Sequence, residues 1–396
     1  MKLICPENAC CGCKACHDIC PRQCISMIKR DNGFHYPSID ENKCINCGLC
    51  QKVCPQYVIL YGNTKPQLFA AYSLNNEHRD QGSSGGIFGE LARQIIIHNG
   101  VVYGAAFDKD LQLKHIPVRK NEELPPIFKS KYIESDTNNV FNQIKKDCNN
   151  NTPVLFCGTP CQCAALKKFL SPRTYPHLYV IDFLCHGVPS QDLFNKSVKK
   201  YESKHHGKII SFNFRSKPIH TKRNCDHYFS LKLVKRNGTI KNIKNKPYWK
   251  FPYYSGFCRY NTLRPSCYDC VYANPKRVGD ITLGDFWGLD TITPIFDFKK
   301  GYSTIIINND KGKELFKTIE NSIYKKEHSI ETLIKLNPTY SKGAIKTIEN
   351  QQSIHDYSNL SYDDFEKKYL IIKMDIISRS IRLIKRIFNN TWKLYQ

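Results

Sequence analysis

The run of apolar and polar positions changes character near Pro66. Beyond that point short β-rich stretches alternate with stretches of helical period. "LFAAYSL" (68–74) reads as a strand, "GGIFGELARQIIIHNG" (85–100) as a helix and "VVYGAAF" (101–107) as a strand. The rhythm resumes with a polar helix in "SDTNNVFNQIKKDC", a strand in "PVLFCG", a helix in "CQCAALKKFL", a strand in "HLYVIDFLC" and a helix in "HGVPSQDLFNKSVKKYESK". Such alternation predicts a mostly parallel or mixed sheet with covering helices. After Lys208 the pattern turns to strands, "IISFNFR", "YFSLKLV" and "TIKNI", with a hairpin turn at Asn237–Gly238. Residues 248–272, rich in aromatics, Pro and Cys, are expected to be an irregular loop around a bound group. "KGKELFKTIENSIYKK" and "SIETLIKLN" read as helices.

The last stretch repeats Ile377, Ile381, Ile384 and Phe388 at helical spacing, with Arg379, Arg382, Lys385 and Arg386 between them. A basic amphipathic helix of this kind docks on a core or lies on an anionic membrane surface. No uncharged apolar run reaches eighteen residues, so no spanning helix is expected. "MKLICPENACCG" lacks the apolar core of a signal peptide, which gives the expectation of a cytoplasmic chain, with membrane association only through the tail.

Composition alters this picture through the cysteines. A chain of 396 residues with 20 cysteines and no export signal cannot rely on disulfides, so the thiols are expected to be metal ligands or buried groups. Cys10, Cys13, Cys16 and Cys20 form C-x2-C-x2-C-x3-C followed by Pro21, and Cys44, Cys47, Cys50 and Cys54 repeat it before Pro55. This duplication is the bacterial two-cluster ferredoxin pattern, in which the fourth cysteine of each run crosses to the other run's cluster. One [4Fe-4S] cluster is then expected on Cys10, Cys13, Cys16 and Cys54, and the other on Cys44, Cys47, Cys50 and Cys20. Zinc, the alternative for four thiolates, favours two separated pairs. Cys5, Cys11 and Cys24 are surplus to the pattern and receive no role.

The formal charge of +24 is trimmed by about two negative charges per four-thiolate cluster and remains basic. An anionic cofactor, an acidic partner or a membrane surface is consistent with it. Nucleic acid is not expected, because the aromatics are not interleaved with Lys and Arg as a recognition motif requires.

In α/β sheets ligands gather at the carboxyl ends of strands. Three loops at such ends carry unusual residues. "QGSSGGIF" puts Ser83, Ser84, Gly85 and Gly86 at a helix start, suited to a phosphate or to simple capping. "CGTPCQC" carries Gly158, Thr159 and Cys161, and "LCHGVPS" carries Cys185 and His186.

From here to about residue 320 the chain resembles the beta-subunit family of coenzyme F420-dependent hydrogenases and dehydrogenases, joined to an N-terminal ferredoxin. The resemblance is carried by "SSGGIF", "GTPCQ", "CHGVPS", "FRSK", "LRPSCYDC", "RVGDITLGDFWG" and "KGYSTIIINNDKG", in that order. It implies a flavin, usually FAD, beside an iron-sulfur cluster, with electrons passing between cluster, flavin and a two-electron partner. After "FRSK" relatives carry a Gly-Trp pair where this chain reads "PIHTKRNCDHYF", so the family's substrate recognition is not carried over.

"RPSCYDC" supplies Cys267 and Cys270, half of a four-ligand site. Cys161 and Cys185 are the best candidates to complete it, with Cys157, Cys163 and Cys258 as rivals, and the family resemblance favours a third [4Fe-4S] cluster over zinc there. Arg215 and Lys217 are candidates to meet an anionic cofactor or substrate. Arg277, Asp280 and Asp285 flank a strand-like segment whose Phe286 and Trp287 suit a flat ring. Asp285 and His186 are the catalytic candidates, His186 as proton donor.

The expected architecture is therefore an α+β, α/β multidomain chain. A ferredoxin-like dicluster module (1–62) precedes a mixed α/β flavin- and cluster-binding region (66–150 and 151–345), and a basic helical tail (346–396) follows. The expected function is an iron-sulfur flavoprotein oxidoreductase acting on a small two-electron substrate such as coenzyme F420. The rival is a non-catalytic electron carrier that delivers electrons to a redox partner protein.

Overall fold

A computed structural model describes residues 4–57, 60, 62, 65–217, 227–292 and 301–372. The amphipathic pattern around Ile377–Phe388 and most of the segment after "FRSK" lie outside these residues.

The N-terminal module is a hairpin of β1 (Ile25–Lys29) and β2 (His35–Ile39) with two short helices, Ala15–Ile19 and Leu49–Lys52. Its duplication extends to the backbone. Gly12 and Lys14 in the first run, and Asn46 and Gly48 in the second, all have positive φ, from 56° to 75°. These paired left-handed residues fold each C-x2-C-x2-C into a loop whose sulfurs face inward. A left-handed non-glycine costs about 1–2 kcal/mol. At Lys14 the ammonium lies 2.6 Å from Asp136 of the following region, an ion pair that helps hold the turn.

An eight-stranded mixed sheet forms the body. Its strands are β3 (Gln67–Ser73), β4 (Val101–Phe107), β5 (Leu113–Val118), β6 (Val154–Cys157), β7 (Leu178–Phe183), β11 (Ile281–Asp285), β12 (Ser303–Ile307) and β13 (Ile323–His328), in the order β13-β3-β12-β11-β7-β6-β4-β5. The central four, β4, β6, β7 and β11, are parallel, and antiparallel strands flank them on both sides.

Alternate residues of the central strands enter different cores, as a period of two requires. Leu155 and Ile181 pack with the helices Ile87–Ile97 and Asp310–Lys317 on one face. Val154, Phe156 and Val180 pack with Val140–Asn149 and Pro160–Leu170 on the other, where Cys13, Ala15 and Val53 of the N-terminal module join the same core. The module is thus docked on one face of the sheet.

A separate three-stranded sheet, β8 (Gly207–Asn213), β9 (Tyr228–Lys235) and β10 (Ile240–Pro247), pairs as β10-β9-β8. Its apolar face packs against Gln191–His205 and the C-terminal segment, including Tyr357, Phe365 and Leu370.

Two expectations on secondary structure fail. The helix read through "KGKELFKTIENSIYKK" stops at Lys317, and Ile323–His328 becomes edge strand β13 on β3. Leu315, Phe316, Ile319 and Ile323 do repeat at helical spacing. The ladder to β3, with Tyr324 stacked on Tyr72 at 4.9 Å, outweighs that periodicity. The expected irregular loop at 248–272 contains helices Pro252–Cys258 and Pro265–Tyr268, and its aromatic residues Phe251, Tyr253, Tyr254 and Phe257 fill a core. Among the described residues no helix is long and apolar enough to cross a membrane.

Candidate functional site

Cysteines line three cavities. One is walled by Cys10, Cys13, Cys16 and Cys54, with Cys5 and Cys11 beside them. A second is walled by Cys20, Cys44, Cys47 and Cys50, with Cys24. These are the two crossed quartets of the ferredoxin pattern, each taking three sulfurs from one run and the fourth from the other. The two environments differ. Cys10, Cys13, Cys16 and Cys54 are buried, whereas Cys47 is exposed and its three partners are half-buried.

The third cavity is lined by Cys161, Cys185, Cys267 and Cys270, and also by Cys11. Its ligand candidates come from the ends of β6 and β7 and from the turn Pro265–Tyr268. Thr159 caps the helix after β6 through a capping box with Gln162, and Pro160 begins it, so Cys161 sits in the first helical turn. Partial positive charge there favours a thiolate. The Thr159 hydroxyl lies 3.1 Å from Cys161 Sγ, and the Gly187 N–H donates to Cys185 Sγ at 3.4 Å. Burial pushes the Cys185 thiol up to about 12 and raises Cys267 and Cys270 as well. Metal would supply the positive charge that such buried sulfurs need to ionise.

The rival thiols stand elsewhere. Cys163 is buried in the sheet-helix core, its S–H directed at Ile181 O at 3.4 Å. Cys157 and Cys258 line a different cavity. Among the described residues no group of three or more His, Cys, Asp or Glu gathers to hold a single metal ion. The sulfurs instead line the three cavities.

A cleft with a volume of about 350 Å³ opens at the carboxyl ends of β6, β7 and β11. That volume lies in the range of cofactor pockets. Ser83, Ser84, Gly86, Gly158, Thr159, His186 and Asp285 all line it. Gly85 and Lys217 do not face it directly. The Gly85 N–H donates to Ser303 Oγ at 2.9 Å, and a Cβ there would lie 2.3 Å from Ala71 O, so this glycine serves close packing on the sheet. Lys217 Nζ donates to Arg79 O at 2.6 Å and to Ser84 O at 2.5 Å, holding the Ser-Gly loop from behind. The side chains of Ser83 and Ser84 also have protein partners, the backbone N–H of Ser130 and the carbonyl of Tyr302.

Lys129 and Lys131 line the cleft without a sequence signal beyond their charge, and Arg215 and Trp287, both expected from the sequence, join them. Lys129, Lys131 and Arg215 bring positive charge. Burial pushes the Lys131 and Lys217 ammonium groups down to about 7. Arg215 is 2% exposed and binds Asp285 at 2.6 Å and the Tyr132 hydroxyl at 3.0 Å. Asp285 is thus an anchor for Arg215 rather than an unpaired acid. Trp287 stacks on His227 at 5.6 Å, while Phe286 turns into the core behind.

His186 Nδ1 lies 3.3 Å from the Tyr260 hydroxyl, and burial lowers the imidazole's pKa. Buried His115 donates its Nε2–H to Cys157 O at 3.0 Å, its Nδ1 has no protein partner, and burial takes the imidazole down to about 4.

Two of the residues expected around this strand have structural duties instead. Asp280 accepts from the Val180 N–H at 2.8 Å and from Lys167 at 3.1 Å. Arg277 pairs with Asp182 at 3.2 Å, both almost fully buried, and its other donors meet Phe183 O and Tyr272 O. Arg277 also borders the third cysteine cavity.

That cavity and the cleft share a wall: Ser135, Thr159, Gln162, Cys185, Gly187 and Val188 line both. Cys11 and Gly12, in turn, line both the third cavity and the first ferredoxin cavity. The order in space is therefore second quartet, first quartet, third quartet, cleft.

Known protein families match both regions of the chain. Residues 152–332 match the family described as the C terminus of the coenzyme F420 hydrogenase/dehydrogenase beta subunit. Residues 9–58 match a 4Fe-4S dicluster domain, and a second dicluster description matches residues 36–98. A chain from the F420-reducing [NiFe] hydrogenase complex of Methanosarcina barkeri, solved as a xenon derivative, aligns at 17% identity with a TM-score of 0.42. The alignment covers 78% of this chain and 91% of that one.

Proposed function

We propose, on the premise of the match of residues 152–332 to the coenzyme F420 hydrogenase/dehydrogenase beta-subunit family and of the dicluster domain before it, that this iron-sulfur oxidoreductase is also a flavoprotein. FAD would occupy the cleft, a third [4Fe-4S] cluster would sit on Cys161, Cys185, Cys267 and Cys270, and a small two-electron substrate such as coenzyme F420 would meet the flavin. The observation that carries this reading is the shared wall, which sets the third quartet directly behind the cleft.

The residues fit an anionic ring cofactor. Lys129, Lys131 and Arg215 suit its phosphates, with Lys217 reinforcing the Ser83–Gly86 loop and Gly158 and Thr159 closing the floor. Trp287 presents a flat face to its ring. When bound, a flavin converts between the one-electron steps of clusters and two-electron chemistry. His186 and the Tyr260 hydroxyl are the proton-handling pair at the cleft, while Asp285 acts through Arg215 by fixing the guanidinium.

The test is anaerobic purification followed by cofactor release. Near-stoichiometric flavin and about twelve iron atoms per chain are expected, with rapid reoxidation of the reduced flavin by F420. Turnover with a different oxidant alone would keep the flavoenzyme and replace its substrate. A protein that neither retains nor takes up flavin would leave the rival reading, an electron carrier serving a redox partner protein.

A further inference from the structure

The two halves of the ferredoxin module are related by internal repeat, yet one residue of the α/β body breaks that relation. Arg264, 0% exposed, reaches into the first quartet. Its Nε donates to Cys10 O at 2.7 Å, and one terminal nitrogen lies 3.9 Å from Cys10 Sγ while also donating to His35 O at 2.6 Å. The other terminal nitrogen pairs with Glu134 at 2.7 Å. The guanidinium lies 4.6 Å from the Tyr36 ring centroid and 5.0 Å from that of Phe34. Gly12 has no side chain because a Cβ there would come within 2.7 Å of the guanidinium.

The repeat-related position in the second quartet is Cys44. Its sulfur is half-buried and has Asn46 Oδ1, an acceptor, at 3.9 Å. Arg22 borders that cavity but is exposed, so solvent and salt screen its charge. Among the described residues, a buried cation donating to a ligand sulfur therefore exists on one side of the module only.

Potentials of such clusters rise with hydrogen bonds to their sulfurs and with nearby positive charge, because both favour the more negative, reduced state. We propose that Arg264 is a positioning residue that raises the reduction potential of the first ferredoxin cluster, offsetting the lowering that burial imposes on it relative to the exposed second, so that an electron arriving at the second quartet can pass to the first. The step is one electron gained by one cluster and lost by the other, with no bond made or broken and no proton required. Arg264 also accepts the Cys267 N–H at its own carbonyl, 2.8 Å, so the same residue ties the first quartet to the third.

The proposal rests on the electron-transfer reading of the module but not on the flavin or the third cluster. Its test is a redox titration of the full chain followed by electron paramagnetic resonance, with iron quantified in every sample and the second cluster's signal assigned by Cys47→Ser. Arg264→Gln is expected to lower the first cluster's potential by about 59 mV, a tenfold shift in the one-electron equilibrium, and to leave the second unchanged. Arg264→Lys keeps a charge without the fork and is expected to give a smaller drop. Glu134→Gln removes the neutralising carboxylate and is expected to move the first potential upward, which a merely structural contact would not do. Unchanged separation between the two potentials in Arg264→Gln and Glu134→Gln, or equal shifts of both clusters, would overturn the proposal. Iron for fewer than two clusters in the parent chain would instead count against the dicluster reading itself.

Discussion

The ferredoxin quartets and the third quartet are made of the same four thiols, yet they are built by opposite means. In the module, six of the eight cysteines of the pattern come from two runs of seven residues, and its own regular structure is slight: a two-stranded hairpin and helices of five and four residues. In the body, Cys161, Cys185 and the Cys267–Cys270 pair are carried by an eight-stranded sheet and its helices, which have cores of their own. The module needs metal to be a structure, whereas the body is a structure that can hold metal.

The strongest way to break that contrast is to remove one ligand from each. Cys16→Ser is expected to cost about four iron atoms and to abolish hydrogen-exchange protection across β1 and β2. Cys267→Ser is expected to lose a similar amount of iron while β6 and β7 keep their protection. Unfolding of the body in the second variant would erase the distinction.

A smaller effect tests the body's independence from the other direction. Asp182 holds Arg277 in a fully enclosed pair and also accepts from the Gly279 N–H and the Thr282 hydroxyl. Asp182→Asn leaves a buried guanidinium uncompensated and is expected to cost about 3 kcal/mol in chemical denaturation of the sheet. The ferredoxin signals should persist.

The smallest effect concerns the cleft alone. Lys131 and Lys217 are held down to about 7 in the ligand-free protein, so each is about half protonated at neutral pH. A bound anion favours the charged form and raises these values. Affinity for FAD is then expected to be highest below pH 7 and to fall as pH rises above it, by up to about tenfold per pH unit for each lysine. Flavin fluorescence quenching between pH 6 and 9 measures this, and a flat profile would remove Lys131 from the phosphate site and Lys217 from its electrostatic support.

The same contrast explains what can be read from the chain. Ligands set by local spacing, the eight of the module, are legible because the motif is the structure. Cys161, Cys185, Cys267 and Cys270 are legible only through strand ends and the family resemblance, since three separate segments must meet. Strand β13 is hidden by a helical repeat that runs on from Leu315 to Ile323, and β5 has no clear signal within "LKHIPV", a strand fixed by pairing with β4. The reach of Arg264 into Cys10 and the position of Cys11 between two quartets have no local signature at all, because each joins residues far apart in the chain.

The turn after β7 constrains how such a protein can change. Cys185, Gly187 and Val188 face the third cysteine cavity and the cleft at once, and Gly187 has φ 103° with Leu263 and Cys267 packed where a side chain would begin. Evolution cannot remodel that wall for a new substrate without moving a sulfur. Diversification is left to the opposite wall, around Lys129–Tyr132 and Tyr260, so relatives that differ in what they reduce should vary there and stay alike at the turn.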